Sequence, residues 1–405
     1  MGGVDRVKAL ALASLIGAFA ATSFSNSFFE IFSGLFLGLS LLGVLYQRRW
    51  DIFKNRLALA AAVYLLVVLF SVIPSEYLSN SLRGAFRVLR SLLMVLLTVW
   101  VVDDGRKFKT VFFCLLGVAF VVGLDACLQG FFGFDLIRRE GLTVFRTGWG
   151  RVTGPFHHAN DFSAYLSLVL FFFIGMLPHV FRRMNGKARW FYGGGSVLLL
   201  VCLLWTYARG AWLAVLATLF LMVLLRKSRN MFLLLVLGVA LVLALSPAML
   251  KVRFASLADL KDGTLTERRL LWEESLEMIR QRPWLGFGVN TYSKVEPYFK
   301  SNKVYTDNQY AHNGYLQMAA ETGLLGLGSF LLLLSVFFSE TARVLPKSKD
   351  AFLKSAALSV LLGIVSFLIH SATDTDLQSL RLVSAFWLSM GLTWAAVRIL
   401  ESSGS

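Results

Sequence analysis

The chain has 405 residues, of which 57% are hydrophobic and only 16% are charged, and its mean hydropathy is +0.66. This composition excludes a soluble globular domain. The formal net charge of +16 does not indicate a nucleic-acid-binding protein, because the basic residues cluster beside hydrophobic runs and no nucleic-acid fold signature is present.

Hydrophobic runs recur along the whole chain, each about twenty residues long, which is the length that crosses a bilayer as a helix. The runs are continuous rather than alternating, so they predict helices and not the strands of a barrel. We therefore predict an all-α integral membrane protein with roughly twelve transmembrane helices. The predicted spans are 7–25, 28–46, 57–74, 83–102, 109–128, 161–178, 191–207, 210–225, 231–247, 314–338, 352–369 and 380–399.

Clusters of lysine and arginine on alternate connections set the predicted orientation. By the positive-inside rule these connections and both termini are cytoplasmic, where the basic side chains contact anionic membrane lipids. Two long loops, 129–160 and 248–313, then face the opposite side. The predicted division of the chain is 1–247 with spans one to nine, the helical loop 248–313, and 314–405 with spans ten to twelve. Both outer loops are also rich in arginine, which indicates an anionic ligand on that side.

Three arginines mark the fourth span. Arg83, Arg87 and Arg90 follow one another at four and three residues, so they share a helix face near the predicted outer end. Two interpretations remain open for them. They contact a phosphate group, or they extend their charges to the membrane surface.

The first outer loop contains R-V-T-G-P-F-H-H-A-N-D, residues 151–161. Asn160 or Asp161 is predicted to cap the helix that follows. The adjacent His157 and His158 do not predict a metal site, because neighbouring side chains point in different directions and no third ligand stands at a useful spacing.

Arg209 lies in W-T-Y-A-R-G-A-W, at a very short connection between two apolar spans. Trp205, Tyr207 and Trp212 surround it, which is typical of an aromatic anchor at the membrane surface. Its planar guanidinium group also suits a phosphate held there. The residues alone leave both interpretations open.

The second outer loop is predicted to contain an amphipathic helix that runs to about Gln281, before Arg282 and Pro283 end it. Two adjacent arginines of this helix differ in their surroundings on a helical wheel. Arg269 shares a face with Glu273, Glu277 and Arg280, which neutralise one another in water. Arg268 heads the face that carries Trp272, Leu276 and Ile279 and packs on the membrane domain, so it is the better candidate for binding an anion. The following G-F-G-V-N-T-Y is predicted to be a tight turn.

His312 begins the tenth span on the arginine-rich side, and it is the side chain best suited to proton transfer near neutral pH. Asn313, Gln317 and Glu321 follow at intervals of four residues and form a polar stripe, as in interhelical hydrogen bonding. Near the last span, Asp374 and Asp376 in H-S-A-T-D-T-D resemble a metal-binding pair. A solvated turn in which Asp376 caps a helix is the expected alternative.

Three blocks carry a resemblance to a known family. W-T-Y-A-R-G-A-W, R-R-L-L-W with R-P-W-L-G-F-G-V-N-T-Y, and A-H-N-G-Y-L-Q-M-A-A-E-T-G-L-L-G-L look like the blocks of the O-antigen ligase and polymerase superfamily of bacterial membrane glycosyltransferases. The resemblance is strongest from about 150 to 330. It implies a membrane glycosyltransferase of the polyprenyl-phosphate-dependent, GT-C-like type, with its active site on the periplasmic side of the inner membrane.

The resemblance also implies the roles of individual residues. The essential histidine of the family corresponds to His312 as general base, and its diphosphate-binding arginines correspond to Arg209 and Arg268, with Arg151 a less secure third position. The donor would be a glycan on undecaprenyl diphosphate and the acceptor a sugar hydroxyl of lipid A-core oligosaccharide. The family uses neither a nucleotide nor a metal, so we expect no cofactor.

Other functions stay open at this stage. Close relatives polymerise lipid-linked repeat units or glycosylate protein serine and threonine, and the same blocks recur in them. A non-catalytic flippase or transporter is a different class. Such a protein would show internal repeats or paired broken helices, and the sequence has no convincing repeat.

Overall fold

The computed structural model describes residues 3–139, 141–144, 150–227, 229–245, 248–255, 263–300 and 310–404. Helices make up most of this part of the chain. Its only β structure is a short antiparallel ribbon of β1 (Thr143–Val144) and β2 (Gly150–Arg151), together with an isolated bridge between Phe134 and Gly141. The prediction of an all-α integral membrane protein is therefore confirmed.

Sixteen α-helices are described. In chain order, α1 to α16 are Gly3–Phe24, Asn26–Gln47, Arg56–Val72, Leu78–Val101, Gly105–Phe132, Ala159–Ile174, Leu177–Arg183, Gly186–Trp205, Arg209–Arg226, Arg229–Leu245, Ala248–Ala255, Gly263–Gln281, Tyr292–Val295, Gly314–Val344, Ala351–His370 and Leu380–Gly404.

Ten spans among the described residues are helical, long and apolar enough to cross a membrane, with α6 and α7 together forming one of them. The number twelve is not confirmed. The two other predicted spans correspond to α3 and α10, which have 17 residues each. At 1.5 Å per residue such a helix reaches about 25 Å, somewhat less than the roughly 30 Å of a bilayer core.

The chain divides into two compact units. The first contains Met1–Leu115, Glu267–Leu358 and Asp374–Ser405, and the second contains Leu116–Thr266 and Ser359–Thr373. Within the first unit α1 packs on α2, α3 on α14, and α4 on α16; within the second, α6 packs on α8 and α9. The three segments predicted from the sequence follow membrane location along the chain instead, and that division stays a prediction.

Large apolar side chains and small residues fill the interior of each unit. In the first, Gly43 of α2 faces Trp100 of α4 so closely that an added Cβ would lie 2.1 Å from the indole ring. In the second, Gly195 of α8 lies against Phe173 of α6 in the same manner. Close packing at small residues is how apolar helices associate where lipid removes the usual hydrophobic drive.

Asparagine side chains begin several helices. Asn55 accepts from the N–H of Ala58 at 2.9 Å, and Asn185 accepts from that of Ala188 at 3.0 Å, each satisfying a donor that the first helical turn leaves free. The capping prediction for α6 is wrong. Its N-cap is His158, with no side-chain cap bond, and Asn160 lies inside the first turn, where it binds another side chain.

Candidate functional site

The turn before α14 holds His312 in an uncommon backbone conformation. Its φ is +46°, in the left-handed region, which costs a residue other than glycine roughly 1–2 kcal/mol. Asn313 follows as the N-cap, and its side-chain oxygen accepts from the N–H groups of Tyr315 and Leu316, both at 3.0 Å. The helix start is thus well defined, and the histidine stands just outside it with a quarter of its side chain exposed.

A carboxylate holds the imidazole of His312. The Nδ1 atom lies 2.9 Å from Oδ1 of Asp374, which also accepts from the N–H of Thr375 at 2.9 Å. The main chain ties the same two segments together, because the N–H of Gly314 donates to the carbonyl of Asp374 at 3.0 Å. A carboxylate on Nδ1 favours the tautomer with its proton there, which leaves Nε2 available to accept a proton.

Arg268 faces the other oxygen of the same carboxylate. Its Nη2 lies 3.5 Å from Oδ2 of Asp374, an ionic contact between side chains that are only 18% and 11% exposed. Asp374 therefore bridges a guanidinium group from α12 and an imidazole from the start of α14. One acid thus contacts both the candidate base and the candidate anion-binding group.

The sequence-based interpretation of the turn before α16 is wrong in one respect. A solvated turn is expected for Asp374 and Asp376, yet they are only 8% and 3% exposed. Nothing near Asp374 in the sequence reveals its partner, because His312 lies 62 residues earlier. The sequence offers one signal for this pair. Asp374 lies at a helix junction on the same predicted side of the membrane as His312, the candidate base.

The predicted pairing of charges on the exposed face of α12 is present, whereas anion binding by Arg268 stays a prediction. Arg269 pairs with Glu273 at 3.0 Å, and both side chains are largely exposed. Arg280 pairs in the same way with Glu277 at 3.5 Å. Such exposed pairs contribute little to stability, about 0–1 kcal/mol.

The packed face of α12 differs from the predicted one. Leu276 is 42% exposed, whereas Leu271, Ser275 and Met278 are buried. These three residues repeat at four and three positions, and Arg268 lies three residues before the first of them, at the head of that face. The hydroxyl of Ser275 lies 2.7 Å from that of Tyr292, which seats α12 on α13.

The three arginines of α4 have different surroundings. Arg90 is buried, pairs with Glu30 and lies over the ring of Phe29. Arg87 is exposed, with Nη1 3.5 Å from the side-chain oxygen of Asn290, and Arg83 is exposed as well. The interpretation that these residues contact phosphate therefore rests on Arg83 and Arg87.

Arg151 and Arg209 belong to the second unit. Arg151 donates from Nε to the carbonyl of Thr206 at 2.6 Å and from Nη2 to Asn160 at 2.7 Å, so it supports the turn that leads into α9. Arg209 is the first residue of that helix and is partly buried. Trp212 is buried and donates to the carbonyl of Leu203 at 3.1 Å, so it is a core residue rather than a surface anchor.

One buried acid lies outside the predicted site. Glu296, just after α13, is 0% exposed, and burial raises the pKa of its carboxyl group to about 7. Lys300, whose Nζ lies 3.8 Å away, opposes this shift, and Glu274 adds to it. Sequence reasoning missed this group because E-P-Y looks like a solvated turn.

Comparisons with known proteins agree with the three sequence blocks that resemble the O-antigen ligase and polymerase superfamily. The family model described as O-antigen ligase (Wzy_C) matches residues 194–331, which include Arg209, Arg268 and His312. The chain is also similar to the exopolysaccharide production protein ExoQ of Rhizobium meliloti (strain 1021). The two are 24% identical over 413 residues, covering 94% of this chain and 85% of that protein.

Proposed function

This chain is a multi-pass membrane protein of the O-antigen ligase superfamily, with a ligase- or polymerase-type function in polysaccharide biosynthesis, and we propose that it joins a lipid-linked glycan to an acceptor sugar. The donor is a glycan on undecaprenyl diphosphate, and the acceptor is a hydroxyl group of lipid A-core oligosaccharide. The observation that carries this proposal is the contact between His312 and Asp374 beside Arg268.

Glycosyl transfer needs a nucleophile that loses its proton as it attacks. Nε2 of His312 accepts the proton of the acceptor hydroxyl, whose oxygen forms a bond to the anomeric carbon of the donor. Asp374, on Nδ1, stabilises the imidazolium that results. The bond between the anomeric carbon and the phosphate oxygen breaks, and its electron pair leaves with the diphosphate. A single displacement of this kind inverts the anomeric configuration.

The leaving diphosphate needs positive charge as the bond breaks. Guanidinium groups bind phosphate through two parallel hydrogen bonds and stabilise the charge that develops on it. Arg268 meets Asp374 at 3.5 Å, a looser contact than a hydrogen bond, so its remaining donors can turn to a phosphate. The family resemblance also assigns Arg209 to diphosphate binding, and Arg151 would hold the turn before it.

The location of the reaction is part of the proposal. The basic connections at the predicted inner surface support cytoplasmic termini in a bacterial inner membrane. His312, Asp374 and Arg268 would then work on the periplasmic side, where lipid-linked glycans are presented and nucleotide donors are scarce.

A second candidate function is polymerisation of lipid-linked repeat units. The similarity to a protein of exopolysaccharide production along 94% of the chain favours it. The chemistry would be the same, with the acceptor hydroxyl on another lipid-linked glycan rather than on lipid A-core.

The test supplies purified protein with undecaprenyl-diphosphate-linked glycan and one acceptor at a time: rough lipopolysaccharide, further lipid-linked glycan, or a serine-rich polypeptide. Gel mobility and mass spectrometry identify the extended product. Extension of rough lipopolysaccharide supports ligation, and longer lipid-linked glycan supports polymerisation. Movement of lipid-linked glycan across vesicles without any new glycosidic bond would contradict both.

A further inference from the structure

The helix that follows His312 is broken at Gly323, and a loop completes it. Gly323 has φ +71° and ψ 179°, so the N–H groups of Leu324 and Leu325 do not reach the carbonyls of Ala320 and Glu321 four residues earlier. They donate instead to the carbonyls of Pro283 and Trp284, at 2.7 and 3.4 Å.

The exchange is reciprocal. The two carbonyls released by the break accept from the same loop, Ala320 from the N–H of Phe287 at 3.2 Å and Glu321 from that of Gly288 at 2.8 Å. An added Cβ on Gly323 would lie 2.0 Å from the carbonyl oxygen of Trp284, so only glycine fits there. The loop that ends α12 is therefore fixed to the interior of α14 through backbone groups.

The side chain of Glu321 adds to this junction. Its Oε2 accepts from the N–H of Asn290 at 2.8 Å, and its Oε1 accepts from that of Tyr292 at 3.2 Å. Asn290 has φ +64°, so its strained backbone is held by this bond. Glu321 is 2% exposed, and a carboxylate buried so deeply is retained only where donors surround it.

Gln317 links Glu321 to the turn of His312. Its Nε2 donates to Oε1 of Glu321 at 3.3 Å, and its Oε1 accepts from the N–H of Ala311 at 3.4 Å. Ala311 precedes His312, whose backbone is left-handed, and both Ala311 and Gln317 are buried. Of the predicted polar stripe, Gln317 and Glu321 therefore form a chain of hydrogen bonds from the loop after α12 to the residue beside His312, whereas Asn313 caps α14.

We infer that Gln317, held by Glu321, is a positioning residue that keeps His312 in its left-handed conformation and its imidazole on Asp374. The expected effect of Gln317 on turnover rests on the proposed function. The expected effect of Gln317 on the position of His312 does not depend on that function. Small displacements of a reacting group by about 1 Å can cost on the order of 10²-fold in rate, so a modest loosening of this turn is sufficient to matter.

The test compares Gln317→Met, which keeps the side-chain length but loses both hydrogen bonds, with wild type. We expect kcat to fall about 10- to 100-fold with little change in the KM for the donor, because the diphosphate-binding groups are untouched. Ser329→Ala is the matched control: it removes a buried hydroxyl of the same helix that donates to the carbonyl of Gly326. It should keep wild-type kcat.

A paired exchange separates positioning from general destabilisation. In the double variant Gln317→Glu with Glu321→Gln, the carboxylate at position 317 accepts from the N–H of Ala311 and from the side-chain amide at position 321. The amide oxygen at position 321 still accepts one N–H of the loop. This double variant should recover part of the kcat that Gln317→Met loses. Wild-type kcat in Gln317→Met, or no recovery in the double variant, would overturn the inference.

A second measurement works without turnover. Carbethoxylation of His312 by diethyl pyrocarbonate, followed by mass spectrometry, should become several-fold faster in Gln317→Met as the imidazole leaves Asp374. His158, which is exposed, serves as an internal reference. Equal rates at His312 in both proteins would overturn the inference, whatever the reaction is. Unimpaired transfer by His312→Ala would instead overturn the proposed function, and the labelling result would stand by itself.

Discussion

The turns that lead into α9 and α14 are built alike but are held by different groups. In each, a residue other than glycine has a left-handed backbone, Tyr207 at φ +53° and His312 at φ +46°. In the first turn the hydroxyl of Thr206 accepts from the N–H of Ala208 at 3.3 Å, and the guanidinium of Arg151 donates to the carbonyl of Thr206 at 2.6 Å. A carboxylate holds the second, through the 2.9 Å contact of Asp374 with the imidazole itself.

The different contacts of the two turns suit two different tasks, presenting a positive charge and accepting a proton. Contacts to the backbone of a turn place the next side chain without changing its chemistry, as suits an arginine that only has to present its charge. A carboxylate on an imidazole sets the tautomer and stabilises the protonated form, as suits a base. The comparison therefore predicts the largest losses of activity at the second turn and smaller ones where an arginine binds phosphate.

Replacing His312 should have the largest effect. In His312→Ala the acceptor hydroxyl loses its base, and a positioned base contributes about 10²–10⁴-fold to the rate. The measurement is kcat for glycan transfer, with thermal unfolding to verify the fold. His158→Ala, at an exposed histidine, is the control and should transfer glycan normally. Wild-type turnover by a folded His312→Ala protein would remove this residue from the mechanism.

Asp374→Asn should have the next largest effect. An amide can donate to Nδ1 and stabilise the wrong tautomer, and in a comparable triad the same change costs up to about 10⁴-fold. We expect kcat to fall by roughly 10²–10³-fold. Asp376→Asn alters an equally buried acid of the same turn and should reduce kcat less. Equal losses in the two variants would indicate a general need for buried acids in this turn.

Arg268→Lys and Arg209→Lys should have intermediate effects. Lysine keeps the charge but loses the planar fork that binds phosphate through two bonds. Loss of one charge-assisted hydrogen bond, worth about 1.5–3 kcal/mol, corresponds to roughly 10- to 100-fold weaker donor binding. Binding of undecaprenyl diphosphate to the purified variants measures this directly. Arg269→Lys, at the adjacent exposed pair, is the matched control, and the interpretation fails if all three variants bind alike.

The smallest effect concerns stability rather than activity. The pKa of Glu296 is about 7 in the folded protein and near 4.5 when the chain unfolds. Between these values the unfolded state releases the proton first, so the folded state loses stability as pH rises. Glu296→Gln should raise the unfolding temperature at pH 8 and change it little at pH 4.5. The exposed Glu277→Gln serves as the control, and an equal shift at both pH values would contradict the assignment.

Much of the fold could be predicted from local sequence. Continuous apolar runs identified the membrane helices, and Arg282-Pro283 located the end of α12 correctly at Gln281. The break in α14 could not be predicted in this way. G-L-L-G-L-G reads as an ordinary apolar helix with small residues, and the break is stable only because a loop some forty residues earlier supplies the missing backbone partners.

The candidate site was predictable in part. His312 and Arg268 stood out because each places a polar group at the edge of an apolar segment. Asp374 did not, because its role depends on a contact across 62 residues, and short acidic turns are usually solvated. The chemistry of one residue can be read from its neighbours in the sequence, whereas its partner is set by packing between distant helices.

The central claim is that His312 and Asp374 act as one unit, and a double-variant experiment tests it most directly. Residues that act together are strongly non-additive, so once the imidazole is gone the carboxylate has no base left to orient. We predict that His312→Ala with Asp374→Asn transfers glycan at the same kcat as His312→Ala alone. If the two residues act independently, the double variant will be slower than His312→Ala by the same factor by which Asp374→Asn is slower than wild type. That result would contradict this account.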